Sequence, residues 1–404
     1  MKIKAVCILG VSVLASGLWM QAQSTASVTF GSLAQTIRGF GGSTAWEPEL
    51  TTAQANALFS NGSTSQMGMS ILRVRIDPGG SANWATELAN AQEAAARGAS
   101  IIATPWTPPA SMKSNSSTIG GTLNTSEYSA YATFLNSFVT YMSNGGVTLY
   151  GISMQNEPDA SVDYESCSWT PAEMETWVAD YGGTIKTRLI MPEAEGFSTA
   201  YSDPTLDNST AAANVSIIAG HLYGATPFYY TLAKNMGKQT WVTEHYLTGS
   251  GITGALALAR EVHDSMVTGQ YNAYLWWWIA NWSAESYTYG LVDSSGNPTM
   301  NGYAMGHFSK FVRPGYSRAN ATANPNSGIY VSAYTGSGHY VIVAINNGTS
   351  AVNQPFSLSG ATIPSITPYQ TTSSASMAQK SAVTVSSNAF TYTLPAQSIT
   401  TFYY

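Results

Sequence analysis

Eight short apolar runs, rich in β-branched residues, alternate along this chain with longer Ala-rich segments that have helical periodicity. The runs occupy Thr36–Thr44, Ser70–Pro78, Ser100–Pro109, Leu149–Pro158, Arg188–Phe197, Val215–Gly224, Gln239–Gly249 and Ala273–Trp282. Strands buried on both faces read as continuous apolar runs, and eight strand–helix units over about 250 residues are typical of a (β/α)8 barrel. The sequence therefore predicts an α/β fold built on a TIM barrel, with helices within 84–99, 128–145 and 254–269.

Nearly every run ends in residues that a hydrophobic core would not select. These residues are Arg73, Asp77, Trp106, Asn156, Glu157, Glu193, His221, Tyr223, Glu244, His245, Trp278 and Asn281. The C-terminal ends of all barrel strands meet at one face, where active sites of such barrels lie. We therefore expect these scattered side chains to converge in one cleft. Pro158 explains the end of its run, because proline cannot continue the ladder of hydrogen bonds.

The two ends of the chain have a different character from the barrel units. Residues 1–22 combine Lys2 and Lys4 with a short apolar stretch and small residues, which is typical of a secretory signal peptide cleaved after residue 22, or as late as residue 26. A membrane anchor is the alternative. Residues 27–308 are assigned to the catalytic barrel and 309–404, with alternating strands and turns, to a side β-domain. The segment 27–37 also alternates, and we expect it to join that β-domain.

The composition favours a neutral, sugar-like partner. Charged residues make up only 9% of the chain, the net charge is −6, and no cluster of Lys or Arg occurs, which excludes electrostatic capture of nucleic acid or of a membrane surface. Aromatic residues reach 12%, with 11 Trp and 24 Tyr. Aromatic rings stack on the apolar faces of sugars, while uncharged polar groups bind the hydroxyls. We expect a secreted monomer that acts on a polysaccharide and needs neither metal nor cofactor.

Two glutamates are placed as the hydrolysis of a glycosidic bond requires. Glu157 ends the fourth run and Glu244 lies on the seventh, 87 residues later, which is about three barrel units. One carboxylic acid must protonate the leaving oxygen, and a second carboxylate must attack the sugar or activate water. Glu193 and Glu195 compete for these roles, but they lie on the fifth run, next to Glu157 instead of opposite Glu244.

Seven ordered motifs carry a resemblance to a known family. They are "GFGGSTAW", "ILRVRID", "ATPWTPPASMK", "ISMQNEPD", "HLYG", "WVTEHY" and "GYAMGHFSKFVRPGY". The chain resembles glycoside hydrolase family 30, in its bacterial glucuronoxylanase branch, over essentially the whole mature length. "QNEP" alone is shared by many barrel glycosidases, whereas seven motifs in order are specific to the family.

The resemblance implies a retaining mechanism with Glu157 as general acid/base and Glu244 as nucleophile. It implies further that Asn156 binds the sugar 2-hydroxyl and that Arg73 and Tyr223 contact Glu244. The other positions expected to bind substrate are Trp46, Trp106, His221, Trp278 and Tyr287, and the family's aromatic cleft positions also match Trp276 and Trp277. For each Trp, packing in the core is the alternative.

One departure from the family pattern affects the predicted specificity. Members of this branch carry an arginine after the eighth strand that pairs with the glucuronate side group of xylan, but this chain has no Lys or Arg between Trp278 and Lys310, and Glu285 lies in that loop. The sequence therefore predicts an endo-β-1,4-xylanase with relaxed dependence on glucuronate. The alternatives are a β-1,6-glucanase, a β-xylosidase, or a non-catalytic carbohydrate-binding protein.

Overall fold

The computed structural model describes residues 23–282 and 287–404. The first strand, β1 (Ala26–Thr36), belongs to a side sheet, and the next eight strands form a closed parallel barrel. The barrel strands are β2 (Gly39–Ser43), β3 (Ile71–Arg75), β4 (Ser100–Thr104), β5 (Leu149–Ser153), β6 (Arg188–Ala194), β7 (Val215–His221), β8 (Gln239–Glu244) and β9 (Ala273–Trp278). Each strand lies within one of the eight apolar runs, so the predicted barrel is confirmed.

Helices follow the strands and cover the outside of the barrel. They are α1 (Thr52–Phe59), α2 (Ala85–Ala95), α3 (Tyr128–Asn144), α4 (Pro171–Tyr181), α5 (Asp203–Asp207), α6 (Ser209–Asn214), α7 (Thr231–Asn235), α8 (Gly251–Val267) and α9 (Met300–Ser309). Thr51 and Thr170 cap α1 and α4 in capping boxes with Gln54 and Glu173, which satisfy free backbone N–H groups at both helix starts. The three helices predicted from periodicity are confirmed as α2, α3 and α8.

The side domain is a mixed sheet that joins both ends of the chain. Its further strands are β10 (Ser317–Ala321), β11 (Ile329–Gly336), β12 (His339–Asn346), β13 (Val352–Ser359), β14 (Ser365–Thr372), β15 (Ala375–Gln379), β16 (Val383–Thr384), β17 (Ala389–Leu394) and β18 (Ser398–Tyr403). Strand β1 lies between β10, to which it is antiparallel, and β13, to which it is parallel. The predicted pairing of the N-terminal segment with the β-domain is therefore confirmed.

Apolar and polar contacts fix the side domain to the barrel. The guanidinium of Arg260 on α8 lies 3.6 Å from the ring centroid of Tyr330 on β11. On α9, the two ring nitrogens of His307 each lie 2.8 Å from a threonine hydroxyl of the sheet, at Thr371 and Thr401. The barrel interior is filled by branched and aromatic side chains from successive strands, such as Ile102, Trp241 and Leu275, which makes it a packed core below the mouth.

Two predictions fall on residues that the structure does not describe. The signal peptide, residues 1–22, and Glu285 in the loop after β9 both lie outside the described ranges. Within residues 23–282 and 287–404, no helix has the length and apolar character needed to cross a membrane.

Candidate active site

The two predicted glutamates meet at the mouth of the barrel. Glu157 follows β5, and Glu244 is the last residue of β8. A carboxylate oxygen of Glu157 and one of Glu244 lie within 4.8 Å of each other, and the two residues are only 6% and 5% exposed. The two carboxyl groups, which are 87 residues apart in the sequence, therefore meet in one site at the strand ends, as expected.

The backbone at Glu157 is held in an unusual conformation. Its φ is +41°, in the left-handed region that non-glycine residues rarely adopt. Its N–H donates to the carbonyl of Glu193 at 3.0 Å, and Pro158 prevents the strand from continuing. Such strain persists only where the surrounding structure enforces it, and it occurs frequently at functional sites. Here it turns the chain out of the barrel directly after Asn156, with the carboxylate in the cleft.

Glu244 accepts two hydrogen bonds that favour its ionised form. Arg73 Nη1 donates to Oε2 at 2.6 Å, and the Tyr223 hydroxyl donates to Oε1 at 2.9 Å. Burial and the charge of Glu157 raise the pKa of Glu244, whereas His221, Arg73 and Tyr223 lower it, and the net pKa lies above its ordinary value. The cation and the hydroxyl therefore offset much of the cost of burying this carboxylate.

Arg73 organises the floor of the site. Its side chain is completely buried. Its guanidinium contacts Glu244, the side-chain amide oxygen of Asn156 (Nη2 to Oδ1, 2.6 Å) and Glu193 (Nε to Oε1, 3.3 Å). The guanidinium also lies 4.6 Å from the ring centroid of Trp106. Because Arg73 occupies the carbonyl end of Asn156, the amide N–H₂ is the end that can donate to a ligand.

Glu193, a competitor for a catalytic role on sequence grounds, lies beneath the cleft. It is fully buried, and the Thr104 hydroxyl donates to its Oε2 at 3.0 Å. Burial raises its pKa, but the charges of Arg73 and His221, together with hydrogen bonds from Thr243 and Ser153, lower it more, so that the pKa is depressed overall. Glu193 therefore serves as a buried counter-ion of Arg73.

His221 lies between the two glutamates. Its Nδ1 is 2.9 Å from Oε1 of Glu157 and 3.9 Å from Oε1 of Glu244. Burial lowers the pKa of His221, but the charge of Glu244 and the contacts with Glu157 outweigh that effect and raise it overall. The imidazole can therefore exchange a proton with Glu157 or hold its carboxyl group in one orientation.

A cleft of about 610 Å³ opens above the carboxylates. Its walls are formed by Trp46, Trp106, Glu157, Tyr164, Glu195, Tyr223, Glu244, Tyr246, Trp277 and Trp278. Trp46 is 41% exposed, whereas Trp106 presents only 2% of its surface. Rings on several sides with a carboxylate pair below are suited to a sugar chain, because sugar faces are apolar and their edges are polar.

Most residues expected to bind substrate are in or next to this cleft. Trp46, Trp106, Tyr223 and Trp278 form its wall. Arg73 and His221 contact the carboxylates from below, and Asn156 contacts Arg73. Tyr287 packs beside the wall, with ring-centroid distances of 5.3 Å to Trp278 and 5.8 Å to Tyr246. Trp276 is fully buried and donates its indole N–H to the carbonyl of Tyr289 at 3.1 Å, so the interpretation of this Trp as a cleft residue was wrong.

Three cleft residues were not singled out from the sequence as binding positions. Tyr164 lies on the loop after β5, and its hydroxyl is 3.4 Å from Oε2 of Glu157. Tyr246 follows Glu244 by two residues, and Glu195 follows β6, so a position just past a strand end was the available signal. For Tyr164, seven residues after Glu157, the sequence carried no comparable signal.

The fold and the site together define a class of enzyme. Two carboxyl groups this close, at the C-terminal mouth of a (β/α)8 barrel and below an aromatic cleft, are the arrangement of a glycoside hydrolase. Residues 83–242 match the family model for the glycosyl hydrolase family 30 TIM-barrel domain. The chain is also 41% identical to the glucuronoxylanase XynC of Bacillus subtilis (strain 168), over 94% of this chain and 92% of that protein. It belongs to glycoside hydrolase family 30.

The solved structures that are similar over nearly the whole chain include two family 30 xylanases. One is the family 30 subfamily 8 xylanase Xyn30A from Clostridium acetobutylicum, with 45% identity and a TM-score of 0.89. The other is a family 30 endoxylanase from Clostridium papyrosolvens C71, with 42% identity and a TM-score of 0.87. Each comparison covers 94% of this chain and 99% of the other. The family resemblance found in the sequence motifs is confirmed.

Proposed function

We propose that the protein is a retaining endo-β-1,4-xylanase in which Glu244 is the nucleophile and Glu157 the general acid/base. The observation that carries this proposal is the short separation, within 4.8 Å, of the two carboxylate oxygens. Retaining enzymes place these groups about 5–5.5 Å apart, whereas inverting enzymes leave about 6.5–9.5 Å for a water molecule. A retaining mechanism is typical of the family.

The geometry supports a specific first step. Glu244, ionised by its contacts with Arg73 and Tyr223, attacks the anomeric carbon from below, while protonated Glu157 gives its proton to the leaving glycosidic oxygen. The C–O bond to the leaving sugar breaks as the bond to Glu244 forms. Asn156 donates its amide N–H₂ to the 2-hydroxyl, an interaction that strengthens as positive charge develops on the sugar ring.

The second step uses the same residues in reverse. Glu157, now ionised, takes a proton from water, and the resulting hydroxide equivalent displaces Glu244 from the anomeric carbon. His221 contacts the Glu157 carboxyl group at 2.9 Å and orients it for both proton transfers. A non-catalytic sugar-binding protein would not need this arrangement, because a binder has no use for a buried carboxylate pair with a shared imidazole.

Xylan is supported as the substrate by the comparisons, and relaxed dependence on its glucuronate groups by the charges. The relatives that are 41–45% identical to this chain carry the names glucuronoxylanase, xylanase and endoxylanase. Among the described residues lining the cleft, the charged ones are all carboxylates: Glu157, Glu195 and Glu244. With no Lys or Arg between Trp278 and Lys310, no arginine in that loop can hold a uronate in a bidentate pair. We also propose that the enzyme is exported, on the basis of residues 1–22.

Product analysis tests this function. Glucuronoxylan, arabinoxylan, linear xylooligosaccharides and β-1,6-glucan should be supplied in parallel. The proposal predicts internal cleavage of linear and decorated xylan at comparable rates. Release of only glucuronate-bearing products would contradict relaxed dependence, cleavage of β-1,6-glucan alone would favour the glucanase, and release of single xylose units would favour the xylosidase.

The loop after β9 allows a sharper test of the glucuronate proposal. Glu285→Arg introduces a cation into the loop after the eighth strand, where the family pattern has an arginine. A charge-assisted contact contributes on the order of 1.5–3 kcal/mol, or about one to two decades of preference. The ratio of kcat/KM on glucuronoxylan to that on linear xylan should rise toward this limit. Glu285→Gln, which only removes the negative charge, is the matched control and should give a smaller rise.

A further inference from the structure

One carboxylate on the cleft wall has no role in the mechanism above. Glu195 directly follows β6 and lines the same cleft as Glu157 and Glu244. Its backbone is fixed from two sides: the N–H donates to Oδ1 of Asp159 at 3.0 Å, and the carbonyl accepts the N–H of Tyr223 at 3.2 Å. Two neighbouring strand-end loops therefore hold the position from which this side chain extends.

The Glu195 side chain is exposed, and its carboxylate has no hydrogen-bond or ion-pair partner among residues 23–282 and 287–404. Partial burial and the carboxylates of Glu157 and Asp159 raise the pKa of Glu195, and the charge of His221 only partly offsets this rise. A carboxylate in this setting does not stabilise the fold through a pair. Its free oxygens and its charge are directed at whatever occupies the cleft.

The contacts place Glu195 on the Glu157 side of the site. Strand β6 is the barrel neighbour of β5, and Asp159, which binds the Glu195 backbone, follows Glu157 by two residues. The general acid protonates the oxygen that departs with the leaving part of the chain. Groups that surround Glu157 on this side therefore flank the sugar that leaves.

We propose that Glu195 sets specificity on the leaving-group side of the cleft by disfavouring xylose units that carry an acidic side group there. This inference rests on the proposed xylanase function. A negative charge on the wall repels a uronate of the same sign, while its oxygens accept hydrogen bonds from the hydroxyls of an undecorated xylose. The sugar in this position becomes the non-reducing end of the released fragment, so products of glucuronoxylan should rarely carry glucuronate on that terminal unit.

Neutralising Glu195 tests this directly. Glu195→Gln and Glu195→Ala remove the charge from an exposed position, and both should raise the share of glucuronoxylan products with a decorated non-reducing end roughly two- to fivefold at low salt, the range expected for an exposed charge pair. The products are measured by mass spectrometry and NMR. Because the effect is electrostatic, it should shrink toward unity in about 0.5 M salt, where charges are screened beyond a few ångströms.

The matched control is Asp180→Asn, an exposed carboxylate at the C-terminal end of α4 and outside the cleft wall, which should leave the product distribution unchanged. An unchanged share of decorated ends in both Glu195 variants, or a rise that salt does not reduce, would overturn the inference. Failure of the proposed function is a separate outcome, because it would appear as absence of xylan hydrolysis by the wild-type enzyme on linear xylooligosaccharides.

Discussion

Nη1 of Arg73 lies 2.6 Å from Oε2 of Glu244, and the two side chains are 0% and 7% exposed. Removing a buried carboxylate's partner is costly, because an unpaired charge is poorly tolerated away from water. The same guanidinium binds Glu193 and Asn156, so one cation connects the ends of four barrel strands. This buried arginine therefore shapes the electrostatics of the site, together with His221 and Tyr223.

Replacing either glutamate of the pair with its amide should lower the rate of hydrolysis by orders of magnitude. Glu157→Gln removes the proton donor, which should lower kcat on xylan by about 10²–10⁴-fold. Glu244→Gln removes the nucleophile and should cost at least as much. Steady-state kinetics measure both losses, and thermal unfolding should show that each variant remains folded. Near-normal turnover of polymeric xylan by either variant would contradict the assigned roles.

Tyr223→Phe should change both the rate and the pH profile. The hydroxyl donates to ionised Glu244 at 2.9 Å and lowers its pKa, so its loss should raise that pKa further. The acidic limb of the kcat/KM profile should move to higher pH, and the rate should fall about 10- to 100-fold, the value of a hydrogen bond to a charged group. Tyr246→Phe, another cleft tyrosine, is the control. An acidic limb that stays in place, or moves to lower pH, is incompatible with this role.

An ion pair next to the cleft should affect substrate binding. Arg75 pairs bidentately with Glu165, the neighbour of Tyr164, and its guanidinium lies 5.1 Å from the ring centroid of Trp46. Glu165→Gln should loosen the positions of Tyr164 and Trp46 on the cleft wall. It should raise KM for xylan roughly two- to fivefold, with a smaller change in kcat.

The matched control for that experiment is Glu93→Gln. It breaks the Glu93–Arg97 pair on α2, in which Nη1 lies 2.6 Å from Oε2. This substitution should leave KM unchanged. Equal effects of the two substitutions on KM would show that the Arg75–Glu165 pair does not position the cleft walls.

The buried carboxyl group of Glu87, next to Thr44 and Arg75, should make stability depend on pH. Glu87 accepts hydrogen bonds from the Thr44 hydroxyl (2.8 Å) and the Arg75 N–H (3.0 Å), and burial raises its pKa from 4.5 to about 7. The folded protein holds this proton more tightly than the unfolded chain. The contribution of protonated Glu87 to the free energy of unfolding is therefore fully present below pH 4.5 and is lost as pH rises to about 7. The loss amounts to at most about 3 kcal/mol.

Denaturant unfolding of Glu87→Gln across this pH range measures the effect. The amide cannot ionise, so the variant should gain stability relative to wild type as pH rises from 4.5 to 7. Glu49→Gln, at an exposed carboxylate, is the control and should follow the wild-type profile. A constant difference between Glu87→Gln and wild type would show that Glu87 does not titrate in this range.

The barrel and both glutamates could be predicted because their signals are local. Continuous apolar runs mark strands buried on two faces, and Glu157 and Glu244 stand where those runs stop. That β1 joins the C-terminal sheet was also predictable from its alternating pattern, whereas its partner strands, β10 and β13, were not. Each of these features depends on residue order along one segment and on a general rule for strand ends.

The directions of the three tryptophans on β9 could not be predicted, because they depend on pairing between strands. Gly42 pairs with Trp276, but Ser43 pairs with Trp278, so the register shifts by one residue at Trp277. Such a bulge interrupts the alternation of faces. Trp277 and Trp278 therefore both line the cleft, while Trp276 is buried. Tyr164 was missed for a related reason, since its contact with Glu157 depends on the path of a loop.

The assignment of Glu244 as a covalent nucleophile is the central claim, and trapping of the intermediate tests it most directly. A 2-deoxy-2-fluoro-xylobioside with a good leaving group should react once with the enzyme, and the covalent glycosyl-enzyme should then hydrolyse slowly. The fluorine slows hydrolysis because it destabilises the positively charged transition state and removes the 2-hydroxyl contact with Asn156. Mass spectrometry of the intact protein should show one added 2-deoxy-2-fluoro-xylobiosyl group, and peptide mapping should place it on Glu244. A label on Glu157 or Glu193, or no label from a compound that the enzyme demonstrably binds and turns over, would contradict the account.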